Sequence, residues 1–190
     1  MRGYKNIIIT VPHAYCYQAS TRVCDRNAEN LAHSLENYFV SHGVPTAVFI
    51  NHEVRRSDMD MNRDESLNTQ FRMSITKRIQ ELTGKNNGGV FLFDAHSFPS
   101  YDMDFGKYDF IILDMSRYFP EFSWLLSVEN KMLENIRRVG YRTKLKQGSK
   151  ENSIVFHAME LGAPGILLEC NEDLTREDLN KIVTAMFSGG

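Results

Sequence analysis

The chain has 190 residues, 42% of them hydrophobic, and a formal net charge of −2. That length and apolar content suit a single domain with a substantial core. Lysines and arginines are mixed among acids rather than gathered in a basic stripe, which argues against nucleic acid as a partner. Three cysteines, Cys16, Cys24 and Cys170, form an odd set without metal-knuckle spacing. A secreted disulfide framework is not expected from them, and a reducing, cytoplasmic setting is. The opening MRGYKNIIITVPHAY contains only a short apolar run closed by Pro12, so neither a signal peptide nor a membrane span is expected.

In chain order, the β-branched run Asn6 to Val11 reads as a central strand ending just before His13. From about Ser20 to Tyr38, apolar residues at Ala28, Leu31, Ala32, Leu35 and, just beyond, Phe39 follow helical spacing, with Gly43 as the stop. Thr46 to Ile50 reads as a second strand. A long polar connection, Asn51 to Glu65, precedes a helix marked by Leu67, Phe71, Ile75, Ile79 and Leu82, which Gly84 closes. GGVFLFDAH is a third strand and YDFIILD (108–114) a fourth. A helix carries Phe122, Leu125, Leu126, Met132, Leu133 and Ile136 and ends near Gly140, and YRTKLK is a polar edge strand. SIVFHAMELG is a short helix, PGILLEC (164–170) a buried strand, and Thr175 to Asp178 opens a last helix. Strands alternating with helices predict a largely parallel sheet covered on both faces.

In such sheets, ligands gather beyond the carboxyl ends of the strands. The strands deliver His13, Asp94 with His96, and Glu169 to those ends. Two imidazoles need one carboxylate and a water to complete a tetrahedral zinc site of the hydrolytic kind. Asp25 and Glu29 are the nearby acids; on a helical wheel Asp25 lies closer to the apolar stripe and is preferred, although an acid there would also complement the helix dipole. Asp94 and His96, two apart in an extended segment, project to one side, so the carboxylate can orient or polarise the site. Glu169, on an otherwise apolar strand, is the candidate general base. Asn62 and Arg63, in the long connection, are suited to hold a carboxylate. Cys16 or Cys24 as a nucleophile with His13 as base is the rival that needs no metal. His33, His42, His52 and Cys170 read as surface, connection or packing residues, His157 as a residue that could reach the site, and the aromatic residues Tyr101, Phe105, Tyr108 and Phe110 mainly as core.

Five segments taken in order resemble the N-formylglutamate amidohydrolase family and, more distantly, zinc carboxypeptidases and zinc N-acetylmuramoyl-L-alanine amidases. They are Val11-Pro12-His13, Asp25 through Leu31, Asp60-Met61-Asn62-Arg63, Phe93-Asp94-Ala95-His96-Ser97, and Leu168-Glu169. The resemblance implies a three-layer α/β/α fold of the phosphorylase/hydrolase-like kind around a mostly parallel mixed sheet. It also implies one Zn²⁺ per chain on His13, Asp25 and His96, with Glu169 as the catalytic carboxylate and Asn62 and Arg63 as a clamp on a substrate carboxylate. The chain departs from the family where Ala14-Tyr15 replaces a common Ser-Gly and Cys170-Asn171 stands where an Arg often follows the Glu. Those departures touch substrate recognition more than the metal site. The activity so implied is metal-assisted hydrolysis of an amide in a small N-acyl amino acid or short peptide. A zinc peptidase, a cell-wall amidase, and a metal- or ligand-binding relative without catalysis are the alternatives.

Overall fold

The computed structural model describes residues 4–16, 24–83 and 89–188. Six strands form one sheet in the order β2-β1-β3-β6-β4-β5: β1 (Asn6–Val11), β2 (Thr46–Ile50), β3 (Val90–Phe98), β4 (Phe110–Asp114), β5 (Thr143–Gln147) and β6 (Gly165–Asn171). All pairings are parallel except β4 with β6, which is antiparallel. The exception follows from the connections, because a parallel return needs a crossover, usually helical, and the chain between β3 and β4 contains no helix. Helix α3 (Leu125–Arg138) does provide one, and β4 and β5 are parallel.

Helices α1 (Ala28–Ser41), α3 and α5 (Arg176–Met186) pack together over one side of the sheet. Helices α2 (Gln70–Thr83) and α4 (Ser153–Glu160) pack against each other and the sheet elsewhere, giving the expected α/β architecture. Coverage of both faces explains why the central strands read as continuous apolar runs: every residue of β3 is buried, and so is every residue of β1 after Asn6. On α1, the predicted stripe Ala28, Leu31, Ala32, Leu35 and Phe39 is buried. Gly43 follows its end with φ 71°, a left-handed conformation that suits glycine. Thr175 caps α5 in a reciprocal capping box with Asp178.

Helix boundaries differ from the sequence reading. Helix α1 begins at Ala28; the expected start near Ser20 falls outside the described residues, but Asp25 lies in irregular chain ahead of the helix, so the helical-wheel argument for Asp25 does not apply. Helix α2 begins at Gln70, leaving Leu67 outside, while Gly84 falls outside the described residues; α3 begins at Leu125, leaving Phe122 in a short 3-10 turn ahead of it, and Leu126 is exposed.

The parallel course of β1, β3 and β6 brings Val11, Phe98 and Asn171 to one edge of the sheet. Antiparallel β4 enters there, with Phe110 opposite Cys170. The β3–β4 connection therefore folds over the strand ends.

Candidate metal centre and its cavity

His13 follows β1 directly, His96 lies in the last third of β3, and Asp25 precedes α1. Each is held from the backbone outward. Asn51 fixes the turn after β1, its backbone amide donating to Val11 O (3.0 Å) and its side-chain amide to Pro12 O (2.8 Å). Asp25 N donates to His13 O (3.0 Å), joining the two segments. Asn27 then anchors the start of α1: its backbone amide donates to Ser97 Oγ (3.1 Å) and its side-chain amide to Leu174 O (2.9 Å).

The result is a convergence on one atom. His13 Nδ1 lies 3.1 Å and His96 Nδ1 2.8 Å from the same oxygen, Asp25 Oδ2. All three residues are buried, and one ligand atom from each lies within 4.8 Å of the others. A donor set of two imidazole nitrogens and one carboxylate oxygen, compact and placed at a cavity, is one that could hold a metal ion.

The far side of each ring is also engaged. His13 Nε2 meets Asp60 Oδ1 at 2.6 Å, and His96 Nε2 meets Asp94 Oδ2 at 2.9 Å. Asp94 is fixed in turn by Thr10 Oγ1, which donates to Oδ1 (2.6 Å), and Asp60 by the backbone amide of Asn62 (2.9 Å). A carboxylate on each Nε2 leaves each Nδ1 facing Asp25, the arrangement in which outer carboxylates set the orientation and basicity of metal-binding histidines. Asp94 is legible in the sequence from its two-residue offset to His96. Asp60, at the head of the segment Asp60-Met61-Asn62-Arg63, has no comparable local offset to His13.

The electrostatics fit a cation-seeking cluster. Burial works to raise the Asp25 carboxyl, but hydrogen bonds and charge from His13 and His96 hold it well below the usual range. Asp60 behaves the same way, burial opposing and His13, Asn62 and Arg56 prevailing. Burial disfavours charge on His96, yet Asp94 and Asp25 raise its pKa well above the ordinary value. A proton on that ring supplies positive charge the carboxylates demand.

A cavity of about 460 Å³ opens beside the cluster, and His13, Asp25, Asn62, Arg63, His96 and Glu169 all line it. Glu169 stands opposite His96 in the β3–β6 register without joining the three-residue cluster. Burial pushes its carboxyl up to about 8; His96 and Arg56 oppose the rise, while Asp25 and Asp94 add to it. Arg63 reaches the cavity while donating to Glu151 O (2.7 Å) and Asn62 O (3.1 Å). Asn62 is buried; its Oδ1 accepts from Ile154 N (3.1 Å) and its Nδ2 lies 3.3 Å from His96 Nε2. Arg56, which the sequence reading did not single out, also lines the cavity, with Nη1 3.6 Å from Asp25 Oδ1 and Nε 3.4 Å from Asp60 Oδ2.

The expectation of unpaired cysteines at positions 16 and 24 is corrected here. Cys16 and Cys24 are joined by a disulfide, with Cα atoms 5.2 Å apart. The bond removes either sulfur as a free nucleophile, and it removes the ground for expecting a reducing compartment, since the odd count conceals one pair and one buried thiol, Cys170. Tyr101 and Phe105 line the cavity, whereas Phe110 is core. Glu29 faces His33 and His52 on the surface, away from the cluster. His157 pairs with Glu160 (3.5 Å) and is not among the cavity-lining residues. Among the described residues, no helix is long and apolar enough to cross a membrane.

No protein-family model matches the sequence, and no curated protein matches it. The fold, by contrast, has solved counterparts. A gene product of Agrobacterium tumefaciens, Atu2144, is similar with TM-score 0.65 and 13% identity over 95% of this chain and 86% of that one. The CwlD amidase of Clostridioides difficile is similar with TM-score 0.54 and 15% identity, covering 96% of this chain and 94% of that one. A metallo-carboxypeptidase of Burkholderia cenocepacia is similar with TM-score 0.58 and 14% identity over 98% of this chain and 56% of that one. These likenesses establish a zinc-peptidase-like α/β fold; the likeness to N-formylglutamate amidohydrolases rests on the sequence segments alone.

Proposed function

We propose that the chain is a zinc-dependent amide hydrolase acting on a small N-acyl amino acid or a short peptide that bears a carboxylate. The observation that carries this reading is the approach of His13 Nδ1 and His96 Nδ1 to Asp25 Oδ2 at the mouth of a cavity that also holds Glu169. Similarity in fold to an amidase and a metallo-carboxypeptidase supports the same class of reaction.

In this reading His13, Asp25 and His96 hold one Zn²⁺ per chain. Zinc bound there supplies Lewis acidity, polarising the scissile carbonyl and lowering the pKa of a water to about 7. Asp60 and Asp94 keep the two rings in the orientation and tautomer that ligation needs. Glu169 accepts the proton of the attacking water and delivers it to the leaving amine, a task suited to a carboxylate whose burial raises its proton affinity. Arg56, beside Asp25 and Asp60, offers guanidinium N–H groups to the negative charge that develops on the acyl oxygen. Arg63, with Asn62, binds the carboxylate of the substrate and so aligns the amide.

The test is hydrolysis of a panel containing N-formyl- and N-acetyl-amino acids, dipeptides and muramoyl-alanine amides. Turnover of at least one carboxylate-bearing amide, abolished by a chelator and restored by zinc, is the expected result. Chelator-insensitive turnover, or no turnover across the panel by zinc-loaded protein, contradicts it. Turnover confined to muramoyl-alanine amides or to peptides would assign the site to a cell-wall amidase or a peptidase.

A further inference from the structure

We infer that the Cys16–Cys24 disulfide is a positioning element of the metal centre, fastening the segment that carries Asp25 to the segment that carries His13. The inference rests on the metal site proposed above. Cys16 follows His13 by three residues and Cys24 immediately precedes Asp25, so a bond between two cysteines eight apart ties together the chain segments of two ligands.

The three ligands are not equally supported. His13 and His96 stand on or beside strands of the sheet, and each ring is gripped at Nε2 by a carboxylate. Asp25 stands in irregular backbone ahead of α1. On its downstream side, Asn27 and α1 anchor it to β3 and β6. On its upstream side, among the described residues, it has a backbone hydrogen bond to His13 O and the disulfide at the adjoining residue. The disulfide thus does for Asp25 what Asp60 and Asp94 do for the imidazoles.

Cys16 is exposed, whereas Cys24 is buried and lines the cavity. A phosphine reductant accordingly attacks the Cys16 sulfur. The S–S bond breaks with Cys24 leaving as a thiolate that takes up a proton. Water then hydrolyses the sulfur–phosphorus bond, yielding the Cys16 thiol and phosphine oxide, so two electrons pass from phosphorus to the cysteines.

The experiment compares zinc affinity, measured by competition with a chromophoric chelator, in oxidised wild type and the double variant C16S/C24S, which offers no substitute thiol ligand. Phosphine-reduced wild type serves as a further sample. The zinc dissociation constant of the variant is expected to rise on the order of 10- to 100-fold, the effect of losing an outer support of a metal site. The visible absorption of the cobalt(II)-loaded variant should change in position or intensity, while the metal-free far-ultraviolet circular dichroism stays native. Unchanged zinc affinity with an unchanged cobalt spectrum overturns the inference. So does loss of the fold in both the variant and the reduced protein, which would make the bond a general staple. Absence of zinc binding in oxidised wild type overturns this inference and the proposed function together, whereas unaltered affinity and cobalt spectrum in the variant overturn this inference alone.

Discussion

Glu169 and His96 stand opposite each other on the adjacent parallel strands β6 and β3, and both line the same cavity. The pairing places a carboxylate that is free of the His13–Asp25–His96 cluster next to one of its members. Glu169→Gln keeps the shape of the side chain and removes its capacity to accept a proton. Turnover is expected to fall by roughly 10²- to 10⁴-fold, with zinc content unchanged. Steady-state kinetics beside elemental analysis checks both; a variant within a few-fold of wild-type kcat removes Glu169 from proton transfer.

Arg63 borders the cavity with its guanidinium already tied to two backbone carbonyls, which fixes its direction. Arg63→Ala should raise KM by about 10- to 100-fold, the loss of a charged hydrogen bond to a carboxylate. The same change should matter little for a substrate amidated at that carboxylate. Equal losses on both substrates would show that Arg63 does not recognise the carboxylate.

Asp60→Asn preserves a group that can bond His13 Nε2 but removes the charge that sits 2.6 Å from it. Zinc affinity is expected to drop on the order of 10- to 100-fold. Calorimetric titration with zinc measures the change, and an affinity equal to wild type would confine Asp60 to loop structure.

Away from the cavity, Glu129 on α3 is fully buried, with Asp114 the acid that acts on it. Burial, with the Asp114 charge adding to it, lifts its pKa from 4.5 to about 8. Above the unfolded value the unfolded chain releases this proton while the folded chain retains it. This group's contribution to stability therefore falls as pH rises from about 4.5 toward about 8, by at most about 1.4 kcal/mol per pH unit. Glu129→Gln should flatten that decline, as read from urea unfolding at pH 5, 6.5 and 8. A variant whose stability falls as steeply as that of wild type assigns the pH dependence to other groups.

How much of this was legible in the sequence depended on whether the signal was local. The apolar runs Asn6–Val11 and Val90–Phe98 mark strands buried on both faces. The offset of two between Asp94 and His96 does put both side chains on one side, where they meet at 2.9 Å. Asp25 was selected by a helical wheel that does not extend to it; what brings it to the histidines is the backbone bond to His13 and the anchoring of Asn27. Asp60 meets His13 across 47 residues, and Cys16 is bonded to Cys24 eight residues on. Neither approach leaves a periodicity to read. The reversed direction of β4 follows from a helix-free connection, which shows only once the strands are placed.

The most direct test of the account is calorimetric titration of metal-free protein with zinc, in wild type, His13→Ala and His96→Ala. One zinc per chain is predicted for wild type, and no comparable binding for either variant. A full equivalent of tightly bound zinc in His96→Ala, or none in wild type, would contradict the claim that these two histidines and Asp25 share one metal ion.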